Sequence, residues 1–179
     1  MAITSENQSI LQTLKATTDE ALAFYDLLEP VGLDFMVGRW QGKGIDTNHR
    51  MDGILELVNW YGKEFIDPET VHPLLFSNSK GEIFKVNPNL TVMEMVLNLP
   101  VPNNPSLKPL CITLNSMFKT ETSQARLRMM ESRGKVTATI IYDNLPINDS
   151  LRKVDENCVM GIMDFKKIQQ PLFFLLYRD

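Results

Sequence analysis

The chain closes on Leu172-Phe173-Phe174-Leu175-Leu176-Tyr177, a strand-length run that is apolar throughout. Successive side chains of a strand point to opposite faces, so Leu172, Phe174 and Leu176 share one face and Phe173, Leu175 and Tyr177 the other. One face can fill a barrel. The other needs a helix, a partner subunit or a second layer over it. Upstream, residues 125–130 and 135–142 read as strands joined by a turn at Ser132-Arg133-Gly134, with Val136, Ala138, Ile140 and Tyr142 on one face and Thr137 and Thr139 on the other. Asp143-Asn144-Leu145-Pro146 is a second turn, and strands at 158–165 and 172–178 follow, separated by the polar stretch 166–170. Short strands with tight turns predict an antiparallel meander.

The first half is more mixed. Ile10, Leu14, Ala21, Tyr25 and Leu28 recur at helical spacing, widened by Phe24 and Leu27, which predicts one covering helix closed by Pro30 and Gly32. In Gly38-Arg39-Trp40-Gln41-Gly42-Lys43-Gly44 the glycines alternate, so they lie on one strand face and permit close backbone approach. Ile54, Leu55, Val58 and Tyr61 predict a short amphipathic helix ending at Gly62. Residues 74–76 and 83–86 predict a hairpin around Asn78-Ser79-Lys80-Gly81. Residues 90–99 fit either helix or strand, and Pro100, Pro102, Pro105 and Pro109 then interrupt regular structure. The resulting organisation is a covering helix at 1–30, a glycine-tryptophan region at 31–98, a Pro-rich crossover at 99–124 and a meander at 125–179.

A chain of 179 residues can bury a full core without disulfides or metal. Its net charge of −4 argues against a nucleic-acid partner. Cys111 and Cys158 lack CxxC spacing, the opening residues lack a signal-peptide pattern, and no apolar run reaches membrane-spanning length. These features predict a cytoplasmic protein with reduced cysteines. His49 and His72 are the two histidines, neither in an HxxxH pair nor near a cysteine, so no metal, haem or other cofactor is expected. No GxSxG elbow, P-loop or GxGxxG is present.

Two ordered motif sets carry a family resemblance. Gly38-Arg39-Trp40-Gln41-Gly42 is followed by His49, Trp60-Tyr61-Gly62-Lys63, His72-Pro73-Leu74 and Asn87-Pro88, and this region resembles the GxWxG domain. Ala125-Arg126-Leu127-Arg128, Ala138-Thr139, Tyr142-Asp143, Pro146-Ile147, Gly161-Ile162-Met163-Asp164 and Tyr177-Arg178-Asp179 resemble the companion domain of unknown function that often follows it. Asn48 and Ser150 depart from the family, standing where glycine and histidine are more usual. The resemblance implies a mainly β (α+β) fold: an antiparallel calycin- or lipocalin-like barrel with an N-terminal helix and a short helix after the GxWxG strand, and a role in binding lipids. In barrels of that kind the GxW tryptophan meets an arginine from a late strand, which would be Arg178 here.

Arg39, Lys43, His49, Arg50 and Lys63 put cations on the GxWxG region, while the methionines offer adaptable apolar volume. An apolar barrel with cations at its mouth suits an amphiphile with an anionic head. The expected function is therefore binding of a hydrophobic or amphiphilic ligand, a fatty acid or anionic phospholipid, at Arg39, Trp40, His49, Lys63 and Tyr142, with transient contact to a membrane surface. An enzyme acting on a small hydrophobic substrate, with His49 and Lys63 as its polar groups, is the alternative. A homodimer through the second face of the last strand is compatible with either.

Overall fold

The computed structural model describes residues 5–88 and 118–179. Among them are four helices, α1 (Ser5–Thr13), α2 (Thr18–Leu27), α3 (Leu33–Met36) and α4 (Ile54–Leu57). Ten strands accompany them: β1 (Glu29–Pro30), β2 (Gly38–Ile45), β3 (Trp60–Asp67), β4 (Thr70–Ser77), β5 (Ile83–Lys85), β6 (Ala125–Ser132), β7 (Lys135–Tyr142), β8 (Ile147–Asp155), β9 (Cys158–Phe165) and β10 (Ile168–Arg178). Eight of the strands close an antiparallel barrel in the order β8-β7-β6-β4-β3-β2-β10-β9, and β9 pairs back onto β8. The GxWxG strands and the C-terminal meander are thus halves of one closed sheet. β1 extends from β8 and β5 from β4.

Register follows from turn chemistry. Arg133 and Gly134 both take positive φ (51° and 76°), the geometry of a two-residue hairpin turn whose twist matches the strands. β6 and β7 then pair without interruption from Ser132↔Lys135 to Ala125↔Tyr142. The same pairings assign the faces. Leu172, Phe174 and Leu176 point into the lumen with Trp40, Ile140, Leu151 and Val159. Phe173 and Leu175 point outward, where Ile10 of α1 and Ala21, Phe24 and Tyr25 of α2 cover them. Helices therefore occupy the face on which a homodimer was expected, and Cys158 lies beneath the same cover, its thiol pushed up to about 12 by burial.

A fully buried arginine helps to fasten that cover. Arg152 projects outward from β8, donates to the Tyr25 carbonyl at 3.0 Å and to the Ser132 carbonyl at 2.7 Å, and lies 4.3 Å from the Tyr25 ring centroid. Helix α2 itself begins at a capping box, with Thr17 and Glu20 bonded reciprocally.

Several expectations need correction. The N-terminal stripe is two helices, because Leu14 takes a left-handed conformation (φ 56°) and Lys15 bridges to Asp46. The helix expected through Tyr61 stops at Leu57, and Trp60 already begins β3. Gly62 makes that change possible: its φ is 152°, and a Cβ there would collide with the Trp40 carbonyl oxygen. The strand β8 was not foreseen at all. The ambiguous stretch 90–99, residues 99–117 of the Pro-rich crossover, Cys111, Met93, Met95 and Met117 lie outside the described residues. No helix among the described residues is long and apolar enough to cross a membrane.

Candidate functional site in the barrel lumen

Around the closed circle, β3 and β8 are four steps apart in either direction, through β4, β6 and β7 or through β2, β10 and β9. They are opposite walls. Lys63 projects inward from β3 and Asp149 from β8, and the ammonium meets carboxylate oxygen Oδ2 at 2.8 Å. The ion pair is therefore a crossbar through the lumen, with side-chain exposures of 3% and 1%. Tyr142 of β7 joins it: its hydroxyl accepts from Lys63 at 2.9 Å and donates to Asp149 Oδ2 at 3.1 Å. Burial and the neighbouring Asp149 charge push the Tyr142 phenol well above its ordinary range, so it remains protonated.

Hydrogen-bond capacity around the crossbar is used unevenly. The ammonium has three protons, and these meet Asp149, Tyr142 and the Pro73 carbonyl (3.2 Å). Aromatic rings surround it, with Phe174, Tyr142 and Trp60 centroids at 5.0, 5.4 and 5.6 Å. By contrast, Asp149 Oδ1 and the indole nitrogen of Trp60 are buried with no hydrogen-bond partner among the described residues. Such groups ordinarily find one, because an unmet buried acceptor costs about 1–3 kcal/mol.

The two ends of the lumen differ. At the α3 end, Trp40 is fully buried and its indole donates to the Met36 carbonyl at 2.8 Å. The Arg178 guanidinium lies 4.2 Å from the Trp40 ring centroid, as expected for the GxW tryptophan, and donates to the Phe35 and Val37 carbonyls at 2.8 and 3.2 Å. That end is sealed. From there the lumen face of β2 continues through Gly42, where the Trp60 ring takes the space a Cβ would need, to Gly44 beneath Glu56 of α4. A cleft of about 690 Å³ lies at the rim of this second end, between Gly44, Leu55 and Glu56 on one side and Leu14, Lys15 and Phe173 on the other.

The structure brings Lys63 and Tyr142 together and leaves the other sequence-derived candidates apart. Trp40 belongs to the sealed end. Arg39 has the opposite strand parity, lies at the surface and is ion-paired with Asp179. His49 lines the cleft, but its ring is fully bonded: Nδ1 accepts from the Met51 amide at 3.0 Å and Nε2 donates to the Gln170 carbonyl at 3.1 Å. Burial lowers its pKa, so the imidazole is neutral and positions the loop. Sequence reasoning missed Asp149 and Trp60. Asp149 sits on the unforeseen strand, and Trp60 was assigned no role; the Trp60-Tyr61-Gly62-Lys63 motif was the signal that could have placed it beside Lys63. Among the described residues, no group of three or more histidine, cysteine or acidic side chains could hold a metal ion.

Comparison with known proteins fits this architecture. Residues 23–81 match the GXWXG protein family, and residues 123–178 match the domain of unknown function DUF4334. No curated protein matches. Among solved structures, the chain is similar to the crystal structure of a protein from Thermomonospora curvata, with 31% identity, a TM-score of 0.72, and coverage of 96% of this chain and 95% of that one. The glycines and tryptophan that shape the lumen, the meander that closes it and this relative, matched over nearly all of both chains, together make the chain a member of the GXWXG family that carries the DUF4334 companion domain.

Proposed function

We propose that this protein binds a hydrophobic or amphiphilic small molecule in the cytoplasm, in the lumen between the Lys63–Asp149 crossbar and the α4 end. The barrel fold is compatible with such a role, and one observation carries the reading: polar groups with open hydrogen-bond capacity stand buried inside an apolar lumen. A binding role is favoured over catalysis because Lys63 has no free proton to offer and both nitrogens of His49 are engaged. The charges of Arg39 and Lys63 are answered by Asp179 and Asp149, and His49 is neutral, so these positions no longer single out an anionic head. The apolar part of the ligand supplies most of the affinity, at about 0.8 kcal/mol per buried methylene.

Native mass spectrometry of protein purified without detergent, followed by fluorescence titration with aliphatic and terpenoid compounds, tests the proposal. The expected result is one small hydrophobic molecule per chain, either retained through purification or bound saturably. Absence of both a retained adduct and saturable binding across the panel would overturn it.

A further inference from the structure

Three polar groups meet in the lumen, and counting their donors and acceptors shows what they still require. Lys63 is saturated as a donor. The Tyr142 hydroxyl donates its one hydrogen bond to Asp149 and accepts from Lys63. Asp149 Oδ2 receives both, which leaves Oδ1 as the open position of the crossbar, an acceptor on a side chain that is 1% exposed. Beside the ammonium, the Trp60 indole is a buried donor with no acceptor among the described residues. Its ring fills the space over Gly42 on the lumen face of β2, and Gly44, two residues on along the same face, lines the α4 cleft.

We infer that the ligand's polar end is a neutral hydroxyl that donates to Asp149 Oδ1. This rests on the lumen-binding reading and narrows it to a class, hydrophobic alcohols. A hydroxyl both donates and accepts, so its oxygen can also answer the Trp60 indole. A ketone or ether offers Oδ1 nothing. A carboxylate would set a second negative charge against Asp149, with Lys63 already paired. The chemistry of the crossbar thus turns a barrel that could hold many apolar bodies into one that discriminates at a single atom.

The test compares 1-decanol, 2-decanone and decanoate at neutral pH, with intrinsic tryptophan fluorescence as readout, on the wild-type chain and on Asp149→Asn. In the wild type, decanol is expected to bind roughly tenfold or more tighter than the ketone, with decanoate weakest, because a hydrogen bond to a buried charged acceptor is gained only by the alcohol. In folded Asp149→Asn the amide oxygen faces Lys63 and the NH2 faces the lumen. The open position becomes a donor, and the preference for alcohol over ketone is expected to vanish or reverse. Saturable wild-type binding with ketone or decanoate equal to or tighter than alcohol overturns the inference and leaves lumen binding standing. So does a folded Asp149→Asn that keeps the wild-type preference. Failure of all three compounds to bind wild type overturns lumen binding itself, and this inference with it.

Discussion

The barrel carries one tryptophan toward each end of its lumen, and the two are held in opposite ways. Trp40 is wrapped by α3, bonded to the Met36 carbonyl and stacked beneath Arg178. Trp60 lies edge-on to Phe174, over a glycine, with its indole N–H unanswered. Closed polar accounting marks the first end as a structural plug. Open accounting next to a buried ion pair marks the second as the place where the proposed ligand would bind.

The largest effect that sharpens this contrast comes from the crossbar between the ends. Lys63→Met alone or Asp149→Leu alone should each cost about 3–5 kcal/mol in urea denaturation, since either leaves an uncompensated buried charge. The double replacement should return to within about 1 kcal/mol of wild type. Comparable losses in the singles and the double would mean that the bridge holds the barrel together rather than serving the site.

Next in size is the difference between the tryptophans. Trp40→Phe strands the Met36 carbonyl and loses the indole stack, so it should cost about 1–3 kcal/mol more than Trp60→Phe, which breaks no hydrogen bond. Equal costs would break the comparison. Arg178→Ala should cost about 0.5–2 kcal/mol and shift Trp40 emission. Ligand affinity at the far end should not change.

The smallest effect is a pH dependence at the open end. Burial depresses His49 below its ordinary 6.5, so below that pH the unfolded chain takes up a proton that the folded ring resists. The stability that His49 contributes is present above pH 6.5 and is lost as pH falls through the depressed value. His72 is depressed by burial in the same direction. Melting temperature should therefore fall on acidification from pH 7 to about pH 5, and His49→Gln should flatten part of that fall. An unchanged slope in the variant would assign the dependence elsewhere.

Much of the barrel was legible because strand alternation survives wherever the lumen is apolar, as at Ala138, Ile140 and Tyr142. It was illegible where the lumen or its outer cover is polar. The strand Ile147–Asp155 reads as loop because Asp149 and Arg152 occupy buried positions, one paired across the barrel and the other bonded to carbonyls under α2. That is also why the acid of the site stayed hidden while its cation, Lys63, was found. Period alone misread Tyr61 as helical, since Ile54, Leu55 and Val58 do share a helical stripe and only the backbone freedom at Gly62 shows where the strand takes over. The cations at Arg39 and Lys63 looked equivalent in sequence, and strand parity separates them: one faces solvent and one faces the lumen.

Placement of the ligand beside Trp60 is tested most directly with single-tryptophan proteins. Trp40→Phe leaves Trp60 as the sole indole, and Trp60→Phe leaves Trp40. Titration of each with 1-decanol should change the emission of the Trp60-only protein saturably and leave the Trp40-only protein silent. A saturable response from Trp40 with none from Trp60 would place the ligand at the sealed end and contradict the division of the lumen described above.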